Sequence, residues 1–443
     1  MEYLKRKVDQ YLDEWFLNKN RNPLIIKGAR QIGKTESVRQ FAKRHSLNLI
    51  ELNFALNPSL IDIFNDGFSV DTIIKNISLR MPTVKFETGK TLIFFDEIQK
   101  YPNATSSLKS FSQDKRYDVI CSGSLMGISY AEIESISTGF KEDYMMYSLD
   151  FEEFLWAKGY KEDQINDLLV SMKNLKPLTK TEYQTYLNCF EEYMVVGGMP
   201  SIVKMFIEQN NYSGVLQKQK QIIRDYEEDI TKYSYRLDKG RILNVFRKIP
   251  AFLGQDNKKF RISKVANGAK SREYAGTTDW LFDAGMVNIS YCLENLSLPL
   301  KGNYNPDNYR IYFADTGLLV SQLDEESSND LRMNKNFNTY KGAIYENVVG
   351  EMLKKSGYDL YFFRKDDGTQ EIEFFIRDKE TLIPIDVKAS DGAPKSMISM
   401  IENKQIPDIK YGIKLANKNI GFNGKYYTFP YFLTFLLRRF LNE

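Results

Sequence analysis

The sequence predicts an α/β protein: a parallel-sheet core built around a phosphate-binding loop, a helical middle, and a second α/β domain at the C-terminal end. Three observations predict it. An apolar strand runs into a glycine loop, GARQIGKT at residues 28–35, and then into a helix. A second apolar strand ends in two acids, Asp96 and Glu97. Far downstream, successive short strands carry Glu371, Glu373, Asp386 and Lys388.

The first element is the glycine loop. Residues 23–27, PLIIK, are apolar and short enough for a buried strand, and residues 36–43 read as a helix. GARQIGKT between them is a complete P-loop pattern in the strand–loop–helix context that this motif needs. The physics selects the residue types. Glycines let backbone amides close around phosphates, and the helix N-terminus adds favourable dipole charge. Gly28, Ala29, Arg30, Gln31, Ile32 and Gly33 are therefore expected to cradle the phosphates of ATP. Lys34 is expected to reach the β- and γ-phosphates, and the Thr35 hydroxyl to bind Mg²⁺.

Residues 91–97, TLIFFDE, match the Walker B pattern of an apolar strand ending in acids. Asp96 is expected to hold the Mg²⁺. Glu97 is placed to polarise an attacking water as a general base. A third strand follows at residues 117–124 and ends in small hydroxyl residues. Ser122 and Ser124 are candidates for reading the γ-phosphate there, although an ordinary Ser-Gly turn has the same composition.

Composition narrows the class. The chain has 443 residues, enough for about two to four domains. Its net charge of +3 gives no global attraction to nucleic acid, so any such surface must be local. The cysteines, Cys121, Cys189 and Cys292, are too far apart for a metal or disulfide pattern and fit a reducing cytoplasm. One histidine, His45, excludes zinc sites built on His pairs. No apolar run reaches the ~18 residues of a membrane helix, and the first residues lack a signal-peptide core. A cytoplasmic protein without a membrane partner is expected. The 28 Tyr and 29 Phe are read as core residues rather than a stacking surface.

Along the chain, residues 1–155 carry the ATPase pattern. Residues 4–15 have helical periodicity, 49–54 read as a second strand, and 145–154 as a strand followed by a helix capped by Ser148 or Asp150. Alternating strands and helices imply a parallel sheet covered on both faces. Residues 156–334 are mostly helical. Within them, at about 240–295, helix, turn, helix and the strand 286–290 follow in winged-helix order. Its basic residues Lys258, Lys259, Arg261, Lys264, Lys270 and Arg272 suit phosphate contacts, or equally a solvated face used for protein packing. Residues 335–443 read as a helix carrying Glu346, then strands at 360–364, 371–376, 382–387 and 411–414.

Strand alternation puts Glu371 with Glu373, and Asp386 with Lys388. Two carboxylates converging with a lysine, joined by Glu346, can hold a metal and orient a water for phosphodiester cleavage. Asp386 with Lys388 is the second half of the PD-(D/E)xK nuclease pattern, in a restriction-endonuclease-like α/β domain. Glu373 stands where that pattern usually has Asp. Solvated strand acids, or a nuclease-like fold kept for binding, are the alternatives.

The whole chain resembles a group of bacterial and archaeal AAA-type ATPases with a C-terminal domain of unknown function. The resemblance rests on IIKGARQIGKT, LIFFDEIQ, CSGS, LDFEEF at 149–154, GGMP at 197–200, FADTGLL at 313–319 and YKGAIYEN at 340–347. It implies ATP and Mg²⁺ binding through Gly28, Gly33, Lys34, Thr35, Asp96 and Glu97. It also implies a winged helix followed by a nuclease-like fold. The resulting expectation is an ATPase that couples nucleotide state to a module binding DNA, RNA or protein. The alternatives are an ATP-licensed nuclease, as in defence against foreign DNA, and a slow nucleotide-gated switch. Such sites are commonly completed by an arginine from a neighbour, so a homo-oligomer is expected. The sequence does not select that arginine; Arg116 is one candidate.

Overall fold

The computed structural model describes residues 3–124, 138–234, 237–255, 258–261, 264–265, 271–323, 326, 330, 339–388 and 392–442. The chain divides into two compact units. The first comprises Met1–Ser148 with the short pieces Tyr233–Arg236 and Asp283–Gly285, and the second holds the rest.

The first unit contains strands β1 (Leu24–Lys27), β2 (Asn48–Asn53), β3 (Thr91–Asp96), β4 (Asp118–Gly123) and β5 (Glu142–Met145). They form one sheet in the order β2-β3-β4-β1-β5, parallel throughout. Its helices are α1 (Lys7–Leu17), α2 (Lys34–Arg44), α3 (Val70–Arg80) and α4 (Leu108–Asp114). All six residues of β3 are buried, as a strand covered on both faces requires. One face, with Ile25, Ile50, Leu52, Ile93, Phe95 and Cys121, packs into a core with Ile73, Ile77, Leu108 and Phe111. The consequence for function is topological. Because β4 lies between β1 and β3, three parallel strand ends meet at one edge of the sheet: Lys27, Asp96 and Gly123. Loops at the carboxyl edge of such sheets are where ligands bind.

The second unit begins with helices α5 (Phe151–Ala157), α6 (Glu162–Lys173), α7 (Lys180–Val196), α8 (Pro200–Gln209), α9 (Val215–Tyr233) and α10 (Lys239–Leu253). Asp150, not Ser148, caps α5, and Glu153 closes the capping box. The helix expected just before the strand 286–290 is a 3₁₀ turn, Ser271–Tyr274, followed by α11 (Thr277–Asp283). Next come β6 (Val287–Leu293), β7 (Tyr304–Phe313), α12 (Thr316–Ser321) and α13 (Thr339–Lys355). The chain ends with β8 (Leu360–Arg364), β9 (Glu371–Asp378), β10 (Thr381–Lys388), α14 (Lys395–Glu402), β11 (Gly412–Ala416), β12 (Gly421–Phe422), β13 (Tyr426–Pro430) and α15 (Leu437–Asn442).

These strands make one eight-stranded mixed sheet in the order β12-β13-β11-β10-β9-β8-β6-β7. The strand expected at 286–290 in the winged-helix order is β6, paired antiparallel with β7 and parallel with β8. The sheet therefore runs across the boundary expected at residue 334. β7 was invisible to periodicity because its first half is polar and partly exposed, and only Arg310–Phe313 are buried. Helix α13 packs against β6, β7, β8 and β10, and α14 covers β9 and β10 with Met397 and Met400.

Candidate nucleotide site and C-terminal carboxylate site

The glycine loop leaves β1 at Lys27 and enters α2 at Lys34. Gly28 has φ +152°, and a Cβ there would lie 2.2 Å from the Met146 carbonyl oxygen. Only glycine fits so close to the chain leaving β5. Gly33 caps α2 at φ +95° and provides no side-chain acceptor, so the first amides of α2 have no side-chain cap. Such a helix end is an anion site. Ala29 and Ile32 are buried against the loop, and Gln31 takes a left-handed φ of 63°. Arg30 completes the turn.

Lys34 is buried and folds back on its own loop, donating to the carbonyls of Ala29 at 2.6 Å and Gly28 at 3.1 Å. Burial lowers its ammonium to about 8, against the opposing pull of Glu97 and Asp96. A bound polyphosphate would supply a stronger acceptor than these carbonyls.

Asp96 is the hub of the site. Its carboxylate accepts from the Thr35 hydroxyl at 3.1 and 3.2 Å, from Asn53 Nδ2 at 2.8 Å, from the Glu97 amide at 3.1 Å and from the Ser122 hydroxyl. Burial raises its pKa from the ordinary carboxylate value, and the hydrogen bonds from Ser122 and Thr35 oppose that. Thr35 and Asp96, which the motifs assign to Mg²⁺, are thus in contact. Their hard oxygens suit that ion. Glu97 follows at φ 59°, ψ 46°, a left-handed conformation that a residue with a Cβ holds only under constraint.

Ser122 is engaged with Asp96, while the buried Ser124 hydroxyl has no hydrogen-bond partner among the described residues. Three contributors escaped the motif reading. Asn53 ends β2 against Asp96. Gln99 donates to the Glu97 carboxylate. Arg6 donates to the Ile32 carbonyl at 2.8 Å and to the Tyr147 carbonyl at 2.7 Å, tying the loop to the segment after β5. Asn53 and Arg6 are revealed only by long-range contacts, and Gln99 by the fold of its own turn. Arg116 is held by Asp114 and Asp71.

In the second unit the register of β9 with β10 sets Ile385 opposite Phe374, which brings Glu373 beside Asp386. Lys388 Nζ lies 2.9 Å from Asp386 Oδ1 and 4.0 Å from Glu373 Oε1. Neither Asp386 oxygen takes a further hydrogen bond among the described residues. Glu373 accepts from the Val387 amide at 3.1 Å. Burial, then the Asp386 charge, push its carboxyl up to about 8 despite Lys388.

Glu346 does not complete this group as expected. It is bound by Lys258, by Arg310 Nη1 at 3.1 Å and by the Tyr312 hydroxyl at 2.5 Å. Burial alone would raise its pKa, but Lys258 and Arg310 outweigh burial and lower it. Glu371 likewise pairs with Arg310 and Arg364. No three His, Cys, Asp or Glu side chains among the described residues are grouped to hold a metal by themselves. Lys258, expected on a phosphate-contact surface, is thereby engaged internally, and Lys264 donates to Gln255 at 2.8 Å. Lys270 and the Arg272 side chain lie outside the described residues.

Comparison with known proteins defines the class. A family model described as an AAA domain matches residues 20–155. Residues 20–155, which hold the glycine loop and the acid-tipped strand, are therefore similar to an AAA domain. Behind it, two models described as domains of unknown function, DUF8612 and DUF4143, match residues 187–329 and 341–432. No curated protein matches the sequence. Among solved structures, the chain is similar to a Walker-type ATPase of Pyrococcus abyssi, with 13% identity over 72% of this chain and 96% of that one, at a TM-score of 0.44. It is also similar to the RuvB Holliday junction branch migration motor of Thermotoga maritima, with 10% identity over 76% of this chain and 96% of that one, at a TM-score of 0.31. No helix among the described residues is long and apolar enough to cross a membrane.

Proposed function

We propose that the protein is a Mg²⁺-dependent ATPase whose nucleotide state is coupled to a C-terminal module that binds nucleic acid or protein. One observation carries this reading: Thr35, Asp96 and Ser122 are joined by hydrogen bonds at the carboxyl edge of the parallel sheet, with Glu97 bonded to Asp96 through its amide. Lys34 and the α2 N-terminus would hold the phosphates. Thr35 and Asp96 would hold Mg²⁺, which supplies charge neutralisation between phosphates when bound. Glu97 would take the proton of the attacking water. Phosphate release by the wild type, Lys34→Ala and Glu97→Gln tests it. Both variants are expected to lose about 100-fold or more of turnover. Equal turnover in all three would sink the reading.

Support for a binding module comes from the second unit. A cavity of about 780 Å³ is lined by the rings of Phe260, Tyr274, Tyr291 and Tyr309, by Lys259 and Arg261, and by Asp279 and Asp307, a mixture of rings and charges of both signs suited to nucleic acid or peptide.

The convergence of Glu373, Asp386 and Lys388 favours a second reading, metal-dependent phosphodiester cleavage licensed by ATP. Two carboxylates that share one lysine leave negative charge that a divalent cation would balance. Mg²⁺- or Mn²⁺-dependent cutting that disappears in Asp386→Ala and Lys388→Ala is the expected result. DNA and RNA that both stay intact with ATP and either metal would end this reading.

A further inference from the structure

We infer that Gln99 is a positioning residue for Glu97, tying the carboxylate of the hydrolytic base to the end of β4. The inference rests on reading Glu97 as that base.

Gln99 is buried at 6% exposure, in the 3₁₀ turn that follows Glu97. Its Nε2 donates to Glu97 Oε2, and its Oε1 accepts from the Ser124 amide at 3.2 Å. A carboxamide has one donating end and one accepting end, so both contacts are made in a single orientation. An ionised glutamate at this position could accept from Ser124 but could not donate to Glu97. The neighbouring chain is shaped for the crossing. A Cβ at Gly123 would lie 2.9 Å from Ile98 Cγ1 and 3.0 Å from Gln99 Oε1. Any larger residue at 123 would displace the carboxamide.

The contacts close a ring. Ser122 binds Asp96, the Glu97 amide binds Asp96 at 3.1 Å, and Gln99 returns from Glu97 to Ser124. Glu97 sits in a left-handed conformation, so its carboxylate direction is held by surroundings rather than by backbone preference. A displacement of the β4 end is therefore transmitted to Glu97 through one rigid amide. The same β4 end carries the hydroxyls facing the nucleotide edge of the sheet. Hydrolysis is sensitive to such placement, because an ångström of misplacement can cost on the order of 100-fold in rate.

The test uses the full chain, with steady-state phosphate release and direct binding of a fluorescent ATP analogue. Gln99→Ala is expected to lower kcat about tenfold or more while the nucleotide Kd stays within about twofold. Gly123→Ala should repeat that split, because its methyl pushes the carboxamide aside. Gln99→Glu adds a readout that a packing role would not move. Its carboxylate opposes Glu97 at neutral pH, and activity should recover relative to wild type as the pH falls and the new acid can donate. A Gln99→Ala kcat within about twofold of wild type overturns the inference. So does a loss of nucleotide binding that parallels kcat in both alanine variants. If wild-type turnover does not depend on Glu97, this inference and the ATPase reading fall together. If turnover needs Glu97 and ignores Gln99, only this inference falls.

Discussion

Asp96 and Asp386 are the same residue type at the same kind of place, near the end of a buried strand and each 1% exposed, yet they are held in opposite ways. Asp96 is surrounded by neutral donors: Thr35, Asn53, Ser122 and the amide of Glu97. Asp386 faces another carboxylate, Glu373, and one lysine. The difference teaches what each site is built to tolerate. Neutral donors orient a carboxylate while leaving its charge in place, so the Asp96 site is preorganised for a cation it shares with phosphates. A buried acid pair with one lysine carries more negative charge than its surroundings balance. It therefore keeps a proton, as Glu373 does, or takes up a cation.

Two substitutions break this comparison. The larger effect is expected at Asp96. Asp96→Ala leaves the Thr35, Asn53 and Ser122 donors and the Glu97 amide without their acceptor, at about 1–3 kcal/mol for buried groups of this kind. Hydrogen exchange at the ends of β3 and β4 reads it locally, and unchanged protection would show that these donors find other partners. The smaller effect is at Glu373. Its carboxyl is raised from 4.5 to about 8 in the fold, so the folded state binds the extra proton between those values. Stability from this group is complete below pH 4.5 and is lost as pH rises through about 8. Glu373→Gln cannot ionise. The melting temperature of the variant should rise relative to wild type between pH 5 and pH 8. A constant difference across that range would mean that Glu373 is already ionised in the folded protein.

Legibility in the sequence followed the range of the interactions. GARQIGKT and TLIFFDE could be read because each motif needs only its own strand, loop and helix. The capping of α5 by Asp150 belongs to the same local class. Strand β7 was not legible, since its burial depends on β6 beside it and not on its own alternation. Nor could the fate of Glu346 be read. Its helix and its acid were visible, but Arg310 and Lys258 reach it from distant parts of the chain. A carboxylate that looks like a metal ligand in one dimension becomes half of a buried ion pair in three. Gln99 shows the converse. Six residues of LIFFDEIQ carry an evident pattern, while the glutamine closing it acquires a role only when β4 folds alongside.

By itself, the sequence determined the phosphate loop, the acid-tipped strand beside it and the α/β character of both ends of the chain. Glycine conformations, strand patterns and helix caps are local and leave a local signature. Only the tertiary structure decided that Thr35, Asp96 and Ser122 share one set of hydrogen bonds, that Glu373 and Asp386 stand together with Lys388, and that Glu346 does not join them. Those outcomes depend on strand order and register, which bring together charges far apart in the chain. Burial then makes each such encounter costly enough to matter.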